Sequence, residues 1–327
     1  MQEKGFVNIN TPIMTSSDCE GAGEVFRVSA NEPVASTSKG HVISDETASE
    51  DARYLTVSSQ LHLEAMAASF VDVYTLSPAF RAEKSDTARH LQEFWMLETE
   101  QSFLLEDRKR ALDEVMNVAQ DTVRAAVSHV LKHCQTDLHF FDSQSAGLSS
   151  ILESASNSAS PYARVSYHEA ISILSSHHAS HPNTFAFQPT AGKSIQTEHE
   201  RFLSSEVFKA PVFVTDYPAH LKPFYMLPST DTSETVACFD LLVPRIGELA
   251  GGSLREHRLD YLEKRMRDIG IDPNSPSYSW YTDLRKYGST RHGGFGLGWE
   301  RLVSLVTGLE NVRDCIPFPR ASEGSRF

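Results

Sequence analysis

The hydrophobic and polar positions of this chain follow two periods in different places. Alternation of period two marks half-buried strands, because successive strand side chains point to opposite faces. It predicts strands over 6–14, 55–57, 71–83, 91–100, 211–215, 224–227 and 236–243. Helical spacing runs over 60–68, where Leu61, Ala65 and Ala68 share a face. It returns over 107–133, where Val115, Val118, Val123, Val127 and Val130 do. Two more helices are predicted over 255–269 and 299–307, the second after a glycine-rich strand at 295–298. Segments 71–83 and 91–100 flank a polar loop and read as a long antiparallel hairpin. Strands and helices are mixed rather than regularly alternating. The prediction is therefore an α+β fold, an antiparallel sheet flanked by helices.

Two stretches depart from these patterns. Residues 31–52 are polar and read as a surface loop. Residues 143–195 are rich in Ser and His, apart from a short strand and helix over 163–174. The flanks, 143–160 and 177–194, read as insertion material or flexible loop. Residues 1–5 read as the end of an interrupted helix, so the chain is expected to start inside a domain.

Composition narrows the classes. The chain has 327 residues, 40% hydrophobic, enough for a sizeable core. Its formal net charge is -13, from 30 basic and 43 acidic residues. Any nucleic-acid contact must then use a local basic patch. No run approaches the roughly 20 apolar residues of a membrane helix, so no membrane span is expected. Cys19, Cys134, Cys238 and Cys315 are scattered without a C-x-x-C pair, which argues against zinc or a disulfide framework. A reducing compartment suits them.

Four segments could carry chemistry. Arg81 and Glu83, two apart on a strand, share a face. An arginine fork suits phosphate, and a carboxylate can accept from an adenine amino group. Alone, such a pair is more often a surface ion pair. On the return strand, Phe94 shares a face with His90 and Glu98, and a ring flanked by charges suits a stacked base. Asp240 and Glu248 flank a bend at Pro244 and Gly247, and paired carboxylates with substrate phosphates suit magnesium. Gly251-Gly252 lets backbone approach a ligand before Arg255. Gly293-Gly294-Phe295-Gly296-Leu297-Gly298 leads to Arg301 on the first turn of a helix. It lacks the spacing of a P-loop or dinucleotide fingerprint.

Together these segments resemble a known family. Phe80-Arg81-Ala82-Glu83 with Arg89-His90 and Glu93-Phe94 is similar to motif 2 of the class II aminoacyl-tRNA synthetases. Gly296 to Arg301 is similar to motif 3, and Pro12 to the proline of motif 1. The resemblance spans Gly5 to Arg320 and is nearest to the aspartate, asparagine and lysine subgroup. It implies a class II catalytic domain over 1–327, without the N-terminal anticodon-binding barrel. It also implies ATP as substrate with Mg2+, an aminoacyl-adenylate, transfer to tRNA, and a homodimer with Pro12 at its interface.

By the same resemblance, Arg81 and Arg301 are catalytic. Arg81 holds the α-phosphate, Glu83 meets adenine, Phe94 stacks under it, and Arg301 lies above it and reaches the γ-phosphate. His90 touches the outer phosphates, and Asp240 and Glu248 hold magnesium. Residues 17–23 look like the family's lid, with Glu20 on the substrate α-amino group and Gln60 beside it. Arg255 matches the arginine that grips the substrate side chain in aspartate enzymes. The lysine partner found there is replaced by Leu63, and Glu64 follows. A carboxylate in place of a cation favours a neutral amide. The resemblance thus implies asparagine as amino acid, with Arg255 on the amide oxygen and Glu64 on its nitrogen, and tRNA(Asn) as partner. Val214 to Pro218 and Arg313 to Arg320 are similar to asparagine enzymes of the bacterial and organellar branch. That branch points to the mitochondrial matrix, with the cytoplasm as alternative. An aspartate-specific or non-discriminating synthetase, or a synthetase-like ATP binder, are the competing readings.

Overall fold

The computed structural model describes residues 1–17, 25–29, 53–82 and 87–321. Its strands are β1 (Val7–Asn8), β2 (Met14–Thr15), β3 (Arg27–Val28), β4 (Arg53–Leu55), β5 (Asp72–Phe80), β6 (Glu93–Phe103), β7 (Ala163–Ser166), β8 (Val212–Thr215), β9 (Cys238–Val243), β10 (Gly247–Leu254) and β11 (Arg291–Gly298). Its helices are α1 (Gln60–Phe70), α2 (Arg108–His133), α3 (Gln135–Gln144), α4 (Leu148–Ser156), α5 (Tyr167–Ser180), α6 (Thr197–Phe202), α7 (Leu259–Asp268), α8 (Ser279–Lys286) and α9 (Trp299–Thr307).

The hairpin β5–β6 runs in register from Asp72 opposite Gln101 to Phe80 opposite Glu93. It opens an eight-stranded sheet of order β1-β5-β6-β11-β10-β9-β8-β7. The pairings from β5 to β8 are antiparallel, as expected. Both edges are parallel, so the sheet is mixed. At one edge α5 and α6 form the crossover from β7 to β8 that a parallel pair requires. A smaller sheet joins β2, β4 and β3.

One face of the large sheet carries the core. Asp107 caps α2, its carboxylate accepting from the Arg110 amide at 3.1 Å. Ala111, Val115, Ala119, Val123 and Val127 then form a buried stripe along the helix. They pack with Phe239, Leu241, Phe295 and Leu297 of the sheet. Close approach between strands depends on glycine. A Cβ on Gly294 would lie 1.9 Å from the Thr99 carbonyl oxygen, and one on Gly252 would lie 2.5 Å from the Phe239 ring. Backbone cannot yield to the first of these. Gly294→Ala is therefore expected to destabilise the protein by about 3 kcal/mol or more, read as a lowered midpoint in urea unfolding.

Several sequence expectations are corrected. Residues 6–14 hold only β1 and β2, because Pro12 between them has no N–H to donate. Residues 224–227 form no strand, only isolated bridges at Met226 and nearby. The helix expected from 255 begins at Leu259, and Arg255 instead extends the end of β10. Helix α8 was not foreseen. Of the Ser/His-rich flanks, the first folds in part into α3 and α4, while the second, after α5 ends at Ser180, has no helix or strand up to α6, as expected. In α4 the short stripe Leu148, Leu152 and Ala155 is fully buried, though serines between them dilute the signal. Ser166 and Glu169 form a capping box that starts α5, and the His177 ring lies 4.3 Å from that of Phe202. No helix of the described residues is long and apolar enough to cross a membrane.

Candidate active site

The opposite face of the sheet is open, and its floor follows from register. Glu98 on β6, Gly296 on β11, Gly251 on β10 and Asp240 on β9 stand directly opposite one another. Two glycines between two acids leave a strip of bare backbone on which a flat ligand can lie. An irregularity between Glu248 and Ala250 inserts one residue into β10. That bulge brings Glu248 to the same face as Gly251; in unbroken alternation it would point into the core.

Above this floor is a cavity of about 360 Å3, the size of a small-ligand site. Arg81, His90, Phe94, Glu248 and Arg301 line it, as do Gln60, Arg255 and Asp240. The Arg81 guanidinium sits 5.5 Å from the Phe94 ring centre. Arg301, in the first turn of α9, donates to the Glu248 carbonyl at 3.0 Å and to its carboxylate at 3.4 Å. Glu20 and Glu83 lie outside the described residues. Ser17, at the root of the expected lid, donates from its hydroxyl to the Ser277 carbonyl. Pro12 lies exposed beside Ile13 and Met14, which are 43% and 55% exposed.

The two acids expected to bind metal converge. A Cβ on Gly251 would lie 3.3 Å from a Glu248 carboxylate oxygen and 3.5 Å from one of Asp240. Lys222 donates to both Asp240 oxygens at 2.8 Å. Burial nevertheless pushes the Asp240 carboxyl up. Burial would also raise Glu248, but Arg301, Lys222 and Arg89 outweigh it and hold that carboxyl low. Two converging hard oxygen donors beside room for a polyphosphate fit magnesium, which takes few protein ligands. Among the described residues no cluster of three or more His, Cys, Asp or Glu could hold a metal by itself.

Glu64 requires a correction. It does not line the cavity: Gln60, one helical turn earlier, stands between them and donates to it at 3.1 Å. The carboxylate is fully buried behind that wall, 2.6 Å from Arg285 and 3.0 Å from His292, and it accepts from the Tyr281 hydroxyl at 2.9 Å. Although burial alone would raise it, Arg285 and His292 hold its carboxyl far below the usual range. Arg255 is equally committed. It pairs with Glu100 at 3.0 Å and donates to the Ser253 hydroxyl at 2.7 Å, both beneath the cavity wall. Burial pushes Glu100 up, as it does Glu98, which accepts from the Ser58 hydroxyl and the Ser59 amide.

Sequence reading assigned no role to Lys222, Arg285, Glu100 or Glu200. Glu100 shares the parity of Phe94 and Glu98 on β6, so the same alternation that marked Glu98 could have marked it. Arg285 sits four residues after Tyr281 on α8, a helical spacing that could have exposed it.

The geometry is that of a nucleotide site on a bare sheet floor, with arginines at its rim and acids at one end. The family model for tRNA synthetases class II (D, K and N) matches residues 1–322, and the chain belongs to that family. It is 48% identical to an asparagine--tRNA ligase of Oleidesulfovibrio alaskensis, over the whole of this chain and 68% of that protein. A Bacillus thuringiensis asparagine--tRNA ligase is 46% identical over the same shares. Among solved structures, the chain is similar to asparaginyl-tRNA synthetase from Pyrococcus horikoshii complexed with asparaginyl-adenylate. The TM-score is 0.81 and the identity 34%, over 98% of this chain and 64% of that one. The Entamoeba histolytica enzyme with asparaginyl-adenylate gives a TM-score of 0.78 at 27% identity, over 98% and 63%. The chain thus spans about two-thirds of the length of its relatives.

Proposed function

We propose that this chain activates asparagine with ATP and passes it to tRNA(Asn), as an asparagine–tRNA ligase. The asparagine carboxylate attacks the α-phosphorus, an asparaginyl-adenylate forms, and pyrophosphate leaves. The chemistry needs positioning and charge compensation more than acid–base help. Phe94 offers a face to adenine, and Arg81 and Arg301 offer donors where negative charge grows. Asp240 and Glu248 would hold magnesium, which offsets phosphate charge.

One observation carries the choice of amino acid. Beneath the cavity wall, Arg255 is matched by Glu100 and Arg285 by Glu64. Neither arginine has charge left over for a third carboxylate. An aspartate side chain would arrive in a buried place already balanced, whereas an amide brings no charge and both donors and acceptor. Gln60 and Arg255, which do line the cavity, then face the amide, and Glu64 acts through Gln60.

The homodimer is part of the same proposal, supported by the exposed Val7, Ile13 and Met14 beside Pro12. The mitochondrial matrix, or alternatively the cytoplasm, is the proposed compartment, supported by likeness to bacterial relatives. Amino-acid-dependent exchange of pyrophosphate into ATP tests the assignment. Catalytic efficiency with asparagine is expected to exceed that with aspartate by on the order of 100-fold or more, since like-charge burial costs several kcal/mol. Equal exchange with both, or a preference for aspartate, contradicts it.

A further inference from the structure

We infer that Glu200 is a positioning residue for the polyphosphate end of ATP, acting through Arg89. Glu200 follows the Ser/His-rich segment, on α6, and belongs to none of the three family motifs. Its side chain is 13% exposed, yet it reaches the cavity wall from behind. One of its oxygens, Oε2, accepts from Arg89 at 3.0 Å and from the Glu248 backbone amide at 3.1 Å. The Thr197 hydroxyl takes a second Arg89 hydrogen bond at 2.6 Å, and the Glu248 carbonyl a third at 3.3 Å. Helix α6 therefore ties the arginine of the β5–β6 loop to the start of β10.

The backbone is shaped to admit this carboxylate. Gly247 sits at φ 83°, and a Cβ there would lie 2.6 Å from the same Glu200 oxygen. Any other residue would push Glu200 away from Arg89. The guanidinium lines the cavity at the end where Arg301 and Glu248 meet, where a triphosphate would place its terminal groups. Without Glu200, Arg89 loses the one carboxylate it is hydrogen-bonded to among the described residues, and only the neutral Thr197 hydroxyl and Glu248 carbonyl are left to aim its fork. Burial and the nearby Glu248 push the Glu200 carboxyl up, while Arg89 opposes them.

This inference rests on the nucleotide reading of the cavity but not on the identity of the amino acid. Its test is therefore titration of the full chain with ATP and magnesium, without amino acid, together with a double-mutant cycle. Glu200→Ala is expected to weaken ATP binding about tenfold and Arg89→Ala by at least as much. The double variant is expected to bind no more weakly than Arg89→Ala alone, because two residues acting as one unit do not add. Glu200→Gln, which can still accept from Arg89, should recover part of the loss. Additive losses, or unchanged ATP affinity in a folded Glu200→Ala, overturn the inference. A wild-type chain that binds no ATP overturns it along with the nucleotide reading. Asparagine exchange that fails while ATP still binds rejects only the proposed substrate.

Discussion

Arg301→Ala is expected to lower asparagine-dependent pyrophosphate exchange by on the order of a thousandfold, with little change in folding. The guanidinium reaches the cavity from α9 and, among the described residues, is hydrogen-bonded to Glu248 alone. Its removal opens no core cavity, since its side chain is 24% exposed. It does remove a preorganised cation from the place where phosphate charge develops, and one such donor is typically worth roughly 100- to 1000-fold in rate. Arg81→Ala is expected to act alike, with an added loss of adenine affinity from its place over Phe94. Steady-state exchange, with circular dichroism as the folding control, reads both. Exchange within about tenfold of wild type in either folded variant would remove that arginine from catalysis.

Glu64→Ala is expected to be the most destabilising single change at the site, by about 3–5 kcal/mol. It leaves the fully buried Arg285 guanidinium without its carboxylate, and an orphaned buried charge is far more costly than the pair is favourable. It also frees Gln60 from below, so asparagine affinity should fall in whatever protein remains folded. The pH dependence has a definite sign. Arg285 and His292 hold the folded Glu64 carboxyl below its ordinary value of 4.5. Its contribution is complete above about pH 4.5 and is lost as pH falls. Glu100, pushed up by burial, works in the opposite direction, so the informative quantity is a difference between variants. Glu64→Gln should be less stable than wild type at about pH 7, and the gap should begin to narrow below about pH 4.5 and keep narrowing as the pH falls further. Urea unfolding across that range checks it; a constant gap would mean that the Glu64 charge is not what the pair supplies.

Much of this architecture was legible in the chain because it is local. Alternation marked the β5–β6 hairpin, and a valine stripe marked α2. Parity along β6 placed Phe94 and Glu98 together before any contact was known. Motif spacing brought Arg81 and Arg301 into one reading although 220 residues separate them. What escaped depends on pairing between distant segments. The parallel edges of the sheet need knowledge of which strands are neighbours. The burial of Glu64 depends on Arg285 and His292, more than 200 residues away on α8 and β11. The bulge that turns Glu248 to the cleft shows only in register. Serines hid the Leu148 and Leu152 stripe. A segment made mostly of small polar residues imitates a loop, even when two leucines are enough to dock a short helix.

The most direct measurement is a crystal structure of the chain with a non-hydrolysable asparaginyl-adenylate analogue. Adenine is expected against Phe94, over the Gly251 and Gly296 strip. The phosphate mimic is expected at Arg81, and the side-chain amide between Gln60 and Arg255 with Glu64 still paired to Arg285. An analogue bound elsewhere, or with its amide on Glu64 after the Arg285 pair has opened, would contradict this placement.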